Sequence, residues 1–143
     1  MGVWSYQGSR PFAYRGRLYS AMGDTVQCVD PKTEKVLWKE TIQKDRKDKQ
    51  PLLDSVLTPP ALVNDKVFVG TTFGEVQCRS AKTGELLWSA AIGEPVVFQP
   101  AVVQGRVYVS TNSGSLYCLE TGDSKDDGWL MWGANAAHNG AAK

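Results

Sequence analysis

Three cysteines, one histidine and a short acidic run are the side chains in this sequence with chemistry to offer. Cys28, Cys78 and Cys118 could ligate a metal or close a disulfide, but no Cys-x-x-Cys spacing and no vicinal Cys-Cys pair occurs. His138 is the sole histidine, so one chain cannot build a multi-histidine metal site or a His-Glu-x-x-His site. As a general base it would need a nucleophile or carboxylate beside it in space, and its Ala- and Gly-rich setting near the terminus favours a structural or unordered place. Asp123, Asp126, Asp127 and Gly128 are spaced like the start of a calcium loop, yet Lys125 stands at a ligand position and no Glu falls at the twelfth. A solvated acidic loop is expected there instead. No Gly-x-Gly-x-x-Gly, no phosphate-binding Gly-Lys-Ser/Thr loop and no Gly-x-Ser-x-Gly elbow is present. No catalytic or metal-binding residue is assigned.

The cysteines acquire meaning from a repeat. Pro11, Pro60 and Pro100 open three similar units, Tyr19, Phe68 and Tyr108 share one position, and the cysteines share another. The Pro-to-Cys distance is 17, 18 and 18 residues, one residue being missing from the first unit's tight loop around Gly23. The second and third units are 40 residues apart; the first and second are about 50 apart, the excess falling in residues 43–56, whose charged run at 44–49 reads as a solvated loop.

Within each unit, period-two patterns and short apolar runs alternate with turn residues every eight to twelve positions, which predicts an all-β fold. In the second unit, strands are expected at residues 60–63, 66–71, 75–80 and 85–90, joined by Asn64-Asp65, Phe73-Gly74 and Lys82-Thr83-Gly84. Asn, Asp and Gly supply the positive φ that two-residue hairpin loops require. Four antiparallel strands in about 40 residues is the size of one propeller blade. The expected organisation is a single partial β-propeller over 1–143, with a blade at 9–42, the charged loop at 43–56, a blade at 57–92, the inner strands of a third at 93–122, and a Trp-rich segment at 123–143. On that scheme the cysteines occupy one inward-facing position in three blades, too far apart to bridge, and are expected to be buried free thiols acting as small hydrophobes. Val3-Trp4-Ser5-Tyr6 reads like the trailing strand of a preceding blade.

At 143 residues the chain can bury a sizeable core, and its 42% apolar and 22% charged composition is that of an ordinary globular domain. A net charge of +1 is too small for the field of a nucleic-acid or anionic-membrane binder. No apolar run approaches the ~20 residues of a membrane span, and no basic-then-apolar signal peptide is visible.

The segments Val29-Asp30-Pro31-Lys32-Thr33-Glu34-Lys35-Val36-Leu37-Trp38 and Arg79-Ser80-Ala81-Lys82-Thr83-Gly84-Glu85-Leu86-Leu87-Trp88 resemble the pyrroloquinoline-quinone-like (PQQ-like) β-propeller repeat, with its Asp, its Thr-Gly turn and its Trp five residues after the Thr. Residues 128–140 are similar to the Trp-rich segments that flank such propellers. In the motif, Asp30 or Ser80 accepts a backbone hydrogen bond, Gly84 takes a left-handed conformation, and Trp38 and Trp88 fill the space between blades. Glu34 replaces that glycine in the first unit, so its turn is either strained or of another type. The third unit has Thr121-Gly122 but no Trp until Trp129, which leaves Asp123 to Asp127 as an insertion before its outer strand.

Thr33, Thr83, Gly84, Asp30, Trp38, Trp88 and the three cysteines are therefore expected to dock blades. The resemblance implies a periplasmic or extracellular address and a non-catalytic scaffold for protein interaction. The alternatives are part of a PQQ-dependent dehydrogenase, which would hold the quinone and calcium only within a complete ring, and a small-ligand or glycan binder using the rim loops. Three blades cannot enclose an axis, so the expected partners are further copies of the chain or the remainder of a longer propeller.

Overall fold

The computed structural model describes residues 11–42 and 57–129, whose regular elements are eleven β-strands. The expected strand at residues 3–6, the charged loop at 44–49 and His138 lie outside the described residues. The first sheet contains β1 (Phe12–Tyr14), β2 (Arg17–Met22), β3 (Thr25–Val29) and β4 (Val36–Thr41). The second contains β5 (Ala61–Val63), β6 (Lys66–Gly70), β7 (Glu75–Ser80) and β8 (Leu86–Ala91). The third contains β9 (Ala101–Val103), β10 (Arg106–Ser110) and β11 (Leu116–Glu120). Within each sheet every strand pairs antiparallel with its neighbour in sequence. These are the up-and-down sheets of a β-propeller, with first strands β1, β5 and β9 nearest the centre.

The turns follow from residue type. Asn64 and Asp65 both have positive φ, at 49° and 56°, as do Arg15-Gly16 and Gln104-Gly105. Two successive left-handed residues make the type I′ turn whose twist matches that of the strands it joins.

One row of side chains crosses each sheet. In the first it runs Phe12, Tyr19, Cys28, Trp38; in the second Ala61, Phe68, Cys78, Trp88; in the third Ala101, Tyr108, Cys118. The rings on either side of the cysteine lean over it and meet. Tyr19 and Trp38 have centroids 6.1 Å apart, as do Phe68 and Trp88. Strands two apart are separated by about 9.6 Å, so the rings can touch only if the residue between them is small. Cys28 and Cys78 are fully buried, and just beyond each the register shifts by a bulge. Cys118 departs from expectation: it is exposed, because β11 pairs only with β10 among the described residues and no ring closes over it.

The first unit's turn is of the same type as the second's. Glu34 N donates to Asp30 O at 2.8 Å and Asp30 N to Lys35 O at 2.9 Å, matching Gly84 N to Ser80 O and Ser80 N to Glu85 O, both at 2.8 Å. Glu34 therefore takes the left-handed φ of 57° that glycine takes at 84 with 79°, and it carries strain that Gly84 does not.

Glu34→Gly should stabilise the protein by about 0.5 kcal/mol, the relieved strain being partly offset by the freer unfolded chain. Gly84→Ala should cost about 3 kcal/mol, combining left-handed strain with overpacking, since a Cβ there would lie 2.5 Å from Trp38 Cε3. Urea unfolding midpoints check both; a neutral Gly84→Ala would contradict this packing.

Candidate functional site

The side chains with polar chemistry gather at the joints between sheets. At the first joint, Ala81 in the turn after β7 offers its carbonyl to two donors from the first sheet. Tyr19 OH donates to it at 2.9 Å and Trp38 Nε1 at 3.0 Å. Trp38 is buried, its six-membered ring lying where a side chain on residue 84 would stand. Around this centre, Tyr14 Oη accepts from Asp65 N at 2.9 Å and Arg15 pairs with Asp65 at 2.6 Å. The Arg15 and Asp65 side chains are 64% and 59% exposed, so solvent screening leaves that pair little energetic weight. The buried Arg79 guanidinium holds the same turn from inside, donating to Gly84 O at 3.1 Å and to Gln77 Oε1 at 3.0 Å.

Of the other motif residues, Asp30 Oδ1 accepts from Lys32 N at 2.8 Å, Thr83 Oγ1 accepts from Glu85 N at 3.3 Å, and Thr33 is exposed. Trp88 is half-buried against Phe68. A Cβ on Gly122, the counterpart of Gly84, would meet nothing within 4 Å, so the tight Trp38–Gly84 contact has no equivalent at the second joint.

That joint is ionic instead. Asp123 to Asp127 form a solvated loop only in part: Ser124, Lys125 and Asp127 are exposed, whereas Asp126 is buried. Beyond β11 the chain turns inward, and Trp129 pairs with Val102 on the free side of β9, with N···O distances of 2.7 and 3.1 Å. Its ring is fully buried, edge-on to Phe12 at 5.6 Å. On the way, the wholly buried Asp126 accepts from Lys66 Nζ at 2.7 and 2.9 Å and from Asn64 Nδ2 at 2.8 Å. Asp123 accepts from Lys66 at 3.2 Å and from Asn64 at 3.0 Å. Lys66 thus supplies the cation for this acidic cluster. Burial opposes its charge, but the hydrogen bonds to Asp126 and Asp123 prevail and raise its pKa. The Asp123 carboxyl is lowered by the Lys125 amide and then by Lys66.

Sequence reading missed this clasp. The available signal was a basic residue at the same place in all three units, Arg17, Lys66 and Arg106. The hydroxyl cluster on Glu94 was missed as well. Ser115 Oγ at 3.3 Å, Thr111 Oγ1 at 3.0 Å and Tyr117 OH at 3.2 Å donate to that carboxylate and hold its pKa down. Glu94 ties the chain after β8 to β11.

The charged groups set a pH window. Lys66 is raised above 10.5, so its contribution is complete below that value and is lost as pH rises through the folded pKa. Burial pushes Cys78 from 9.0 to about 12 and also raises Tyr19 above 10.0, so the unfolded chain ionises first and stability declines from pH 9.0 upward. Asp123 is lowered below 3.8, so its contribution is present above that value and is lost as pH falls through the folded pKa. Denaturant titration across pH should show a plateau bounded on those two sides, and Cys78→Ala should soften the alkaline fall. Asp126→Asn should cost about 3 kcal/mol and Asp65→Ala under about 1 kcal/mol, as expected for a buried and an exposed pair.

Comparison with known proteins agrees with this architecture. A family model described as "Outer membrane protein assembly factor BamB" matches residues 22–142. A quinohemoprotein alcohol dehydrogenase, ADH IIB, of Pseudomonas putida is 33% identical over 87 residues, covering 59% of this chain and 13% of that protein. The crystal structure of BamB from Moraxella catarrhalis superposes with a TM-score of 0.63 at 16% identity, over 82% of this chain and 34% of that one. The quinohemoprotein alcohol dehydrogenase ADHIIG from Pseudomonas putida HK5 gives 0.67 at 23% identity, over 85% and 20%. At these identities the structural likeness is one of fold, and the chain spans about a third or less of the length of each of these relatives.

Proposed function

The chain belongs to the PQQ-like repeat family described as outer membrane protein assembly factor BamB, and on that premise we propose that it is a non-catalytic propeller segment that docks other proteins outside the cytoplasm. The observation that carries this reading is where the polar side chains are spent. Lys66 with Asp126 and Asp123, Arg79 with Gln77 and Gly84, and Glu94 with its three hydroxyls all act within or between sheets. Functional specificity then falls to the rim loops and the sheet edges.

The enzymes of this fold family hold a quinone together with a calcium ion. A calcium ion takes six to eight oxygen ligands, whereas the Asp123–Asp126 pair is already filled by an ammonium and an amide. The described residues do not fit the ion, and no step is derived through it. The unit boundaries at 9–42, 57–92 and 93–122 belong to this proposal, as does completion of the ring by further copies or by the rest of a longer propeller.

A second reading, part of a quinone-dependent dehydrogenase, is favoured by one observation, the 33% identity to ADH IIB over 87 residues. One pair of measurements separates the two. The scaffold reading expects the immobilised chain to retain a specific outer-membrane protein, or an unfolded outer-membrane polypeptide, saturably from detergent extract, with a flat calorimetric titration of pyrroloquinoline quinone plus calcium. Saturable quinone binding without protein retention would overturn it in favour of the enzyme.

A further inference from the structure

We propose that the Asn64-Asp65 turn couples the two joints, so that they open and close together and whatever loosens the acidic segment also loosens the contact at Ala81. The inference goes beyond the scaffold reading and stands whether or not the module docks a foreign protein.

Three successive residues face alternate neighbours. Asn64 and Lys66 reach forward to the segment after β11. Asn64 Nδ2 donates to Asp126 at 2.8 Å and to Asp123 at 3.0 Å, and Lys66 Nζ to Asp126 at 2.7 Å. Asp65, between them, reaches back: its N–H donates to Tyr14 Oη at 2.9 Å and its carboxylate pairs with Arg15. Its carbonyl accepts from Ala81 N at 2.8 Å, and the Ala81 carbonyl is the acceptor on which Tyr19 OH and Trp38 Nε1 converge. A continuous path of hydrogen bonds and peptide units therefore runs from Asp126 through Asn64, Asp65 and Ala81 to the rings of the first sheet.

The turn is built to pass a displacement on. Residues 64 and 65 hold left-handed φ of 49° and 56°, a small allowed region that leaves little room for either to rotate alone. The ends of the path are buried, Asp126 on one side and Tyr19 and Trp38 on the other. Leaving any of these without its partner carries a desolvation penalty, so moving the turn is easier than breaking the path. Only this turn is equipped for both directions. The corresponding turns, Arg15-Gly16 and Gln104-Gly105, have a side chain at their first position alone.

Hydrogen exchange tests the coupling. Asn64→Gly removes the forward arm and keeps a residue that adopts positive φ readily. It should speed exchange of the Ala81 amide and of the Trp38 indole N–H, both at the first joint, by at least about 10-fold. Glu94→Ala strips a contact to β11 that does not pass through the turn, and should leave both within about 2-fold. Unchanged first-joint exchange in Asn64→Gly, or equal acceleration by Glu94→Ala, would overturn the proposal. The unsubstituted protein supplies an independent check. Gly105 N donates to Asp126 O at 2.8 Å, and the protection factors of Gly105 and Ala81 should agree within about 3-fold; a wider gap means that the joints open separately.

A double-mutant cycle identifies the route. In urea, the combined effect of Asn64→Gly and Tyr19→Phe on the unfolding equilibrium should depart at least about 5-fold from the product of the separate effects, where uncoupled sites agree within about 2-fold. Trp129 also touches the first sheet, edge-on to Phe12, so the cycle is repeated in Phe12→Leu, which removes that contact. Persistence of the departure assigns the coupling to the turn, whereas its loss would assign it to the two rings and sink the proposal.

Discussion

A single backbone carbonyl, that of Ala81, is where the first two sheets become one body. Tyr19 OH and Trp38 Nε1 both donate to it, and each donor reaches it from a ring already packed in the row over Cys28. Buried, neither donor could be left unpaired without a penalty of about 1–3 kcal/mol. The carbonyl is held in place in turn, because Ala81 N donates to Asp65 O across the turn. Gly84 completes the geometry by leaving room for the indole. The small residue in the middle of the row and the absent side chain in the next turn serve one requirement: a flat indole must lie between two backbones.

The two joints meet that requirement differently. Where the first uses aromatic rings and neutral hydrogen bonds, the second uses a half-buried ammonium on a fully buried carboxylate, with Phe68 lacking the hydroxyl that Tyr19 offers. Lys66 can make this contact because it begins β6 immediately after the Asn64-Asp65 turn, where the hairpin projects toward the next sheet. Arg17 stands at the same place in the first sheet and reaches Lys82 O at 3.4 Å. The position is basic in both, but only at the second joint does an acidic segment come to meet it.

The fold was readable because its signals are local. Asn64-Asp65 specifies a turn from its own backbone preferences, and alternation along residues 75–80 specifies a strand whatever surrounds it. The clasp was not readable, since Lys66 and Asp126 are 60 residues apart and nothing in either segment names the other. Trp129 misled for a related reason. It follows Thr121 by eight residues rather than five, so an outer strand is read there only by treating Asp123 to Asp127 as an insertion, and the hydrogen-bonding edge it satisfies belongs to β9. Glu34 is intermediate: the sequence shows that a glycine is missing, but the turn's hydrogen bonds show that the backbone keeps the glycine conformation nonetheless. Cys118 stands at the same repeat position as its counterparts and differs in having no covering strand among the described residues, a difference whose one trace in the sequence is the missing Trp five residues after Thr121.

Trp129 bears on how such a protein could work. It adds backbone to the free side of β9 and sets its ring edge-on to Phe12 of β1. One aromatic contact thereby ties the segment after the third sheet to the first strand of the first sheet, so that a change at either end of the described arc is transmitted to the other.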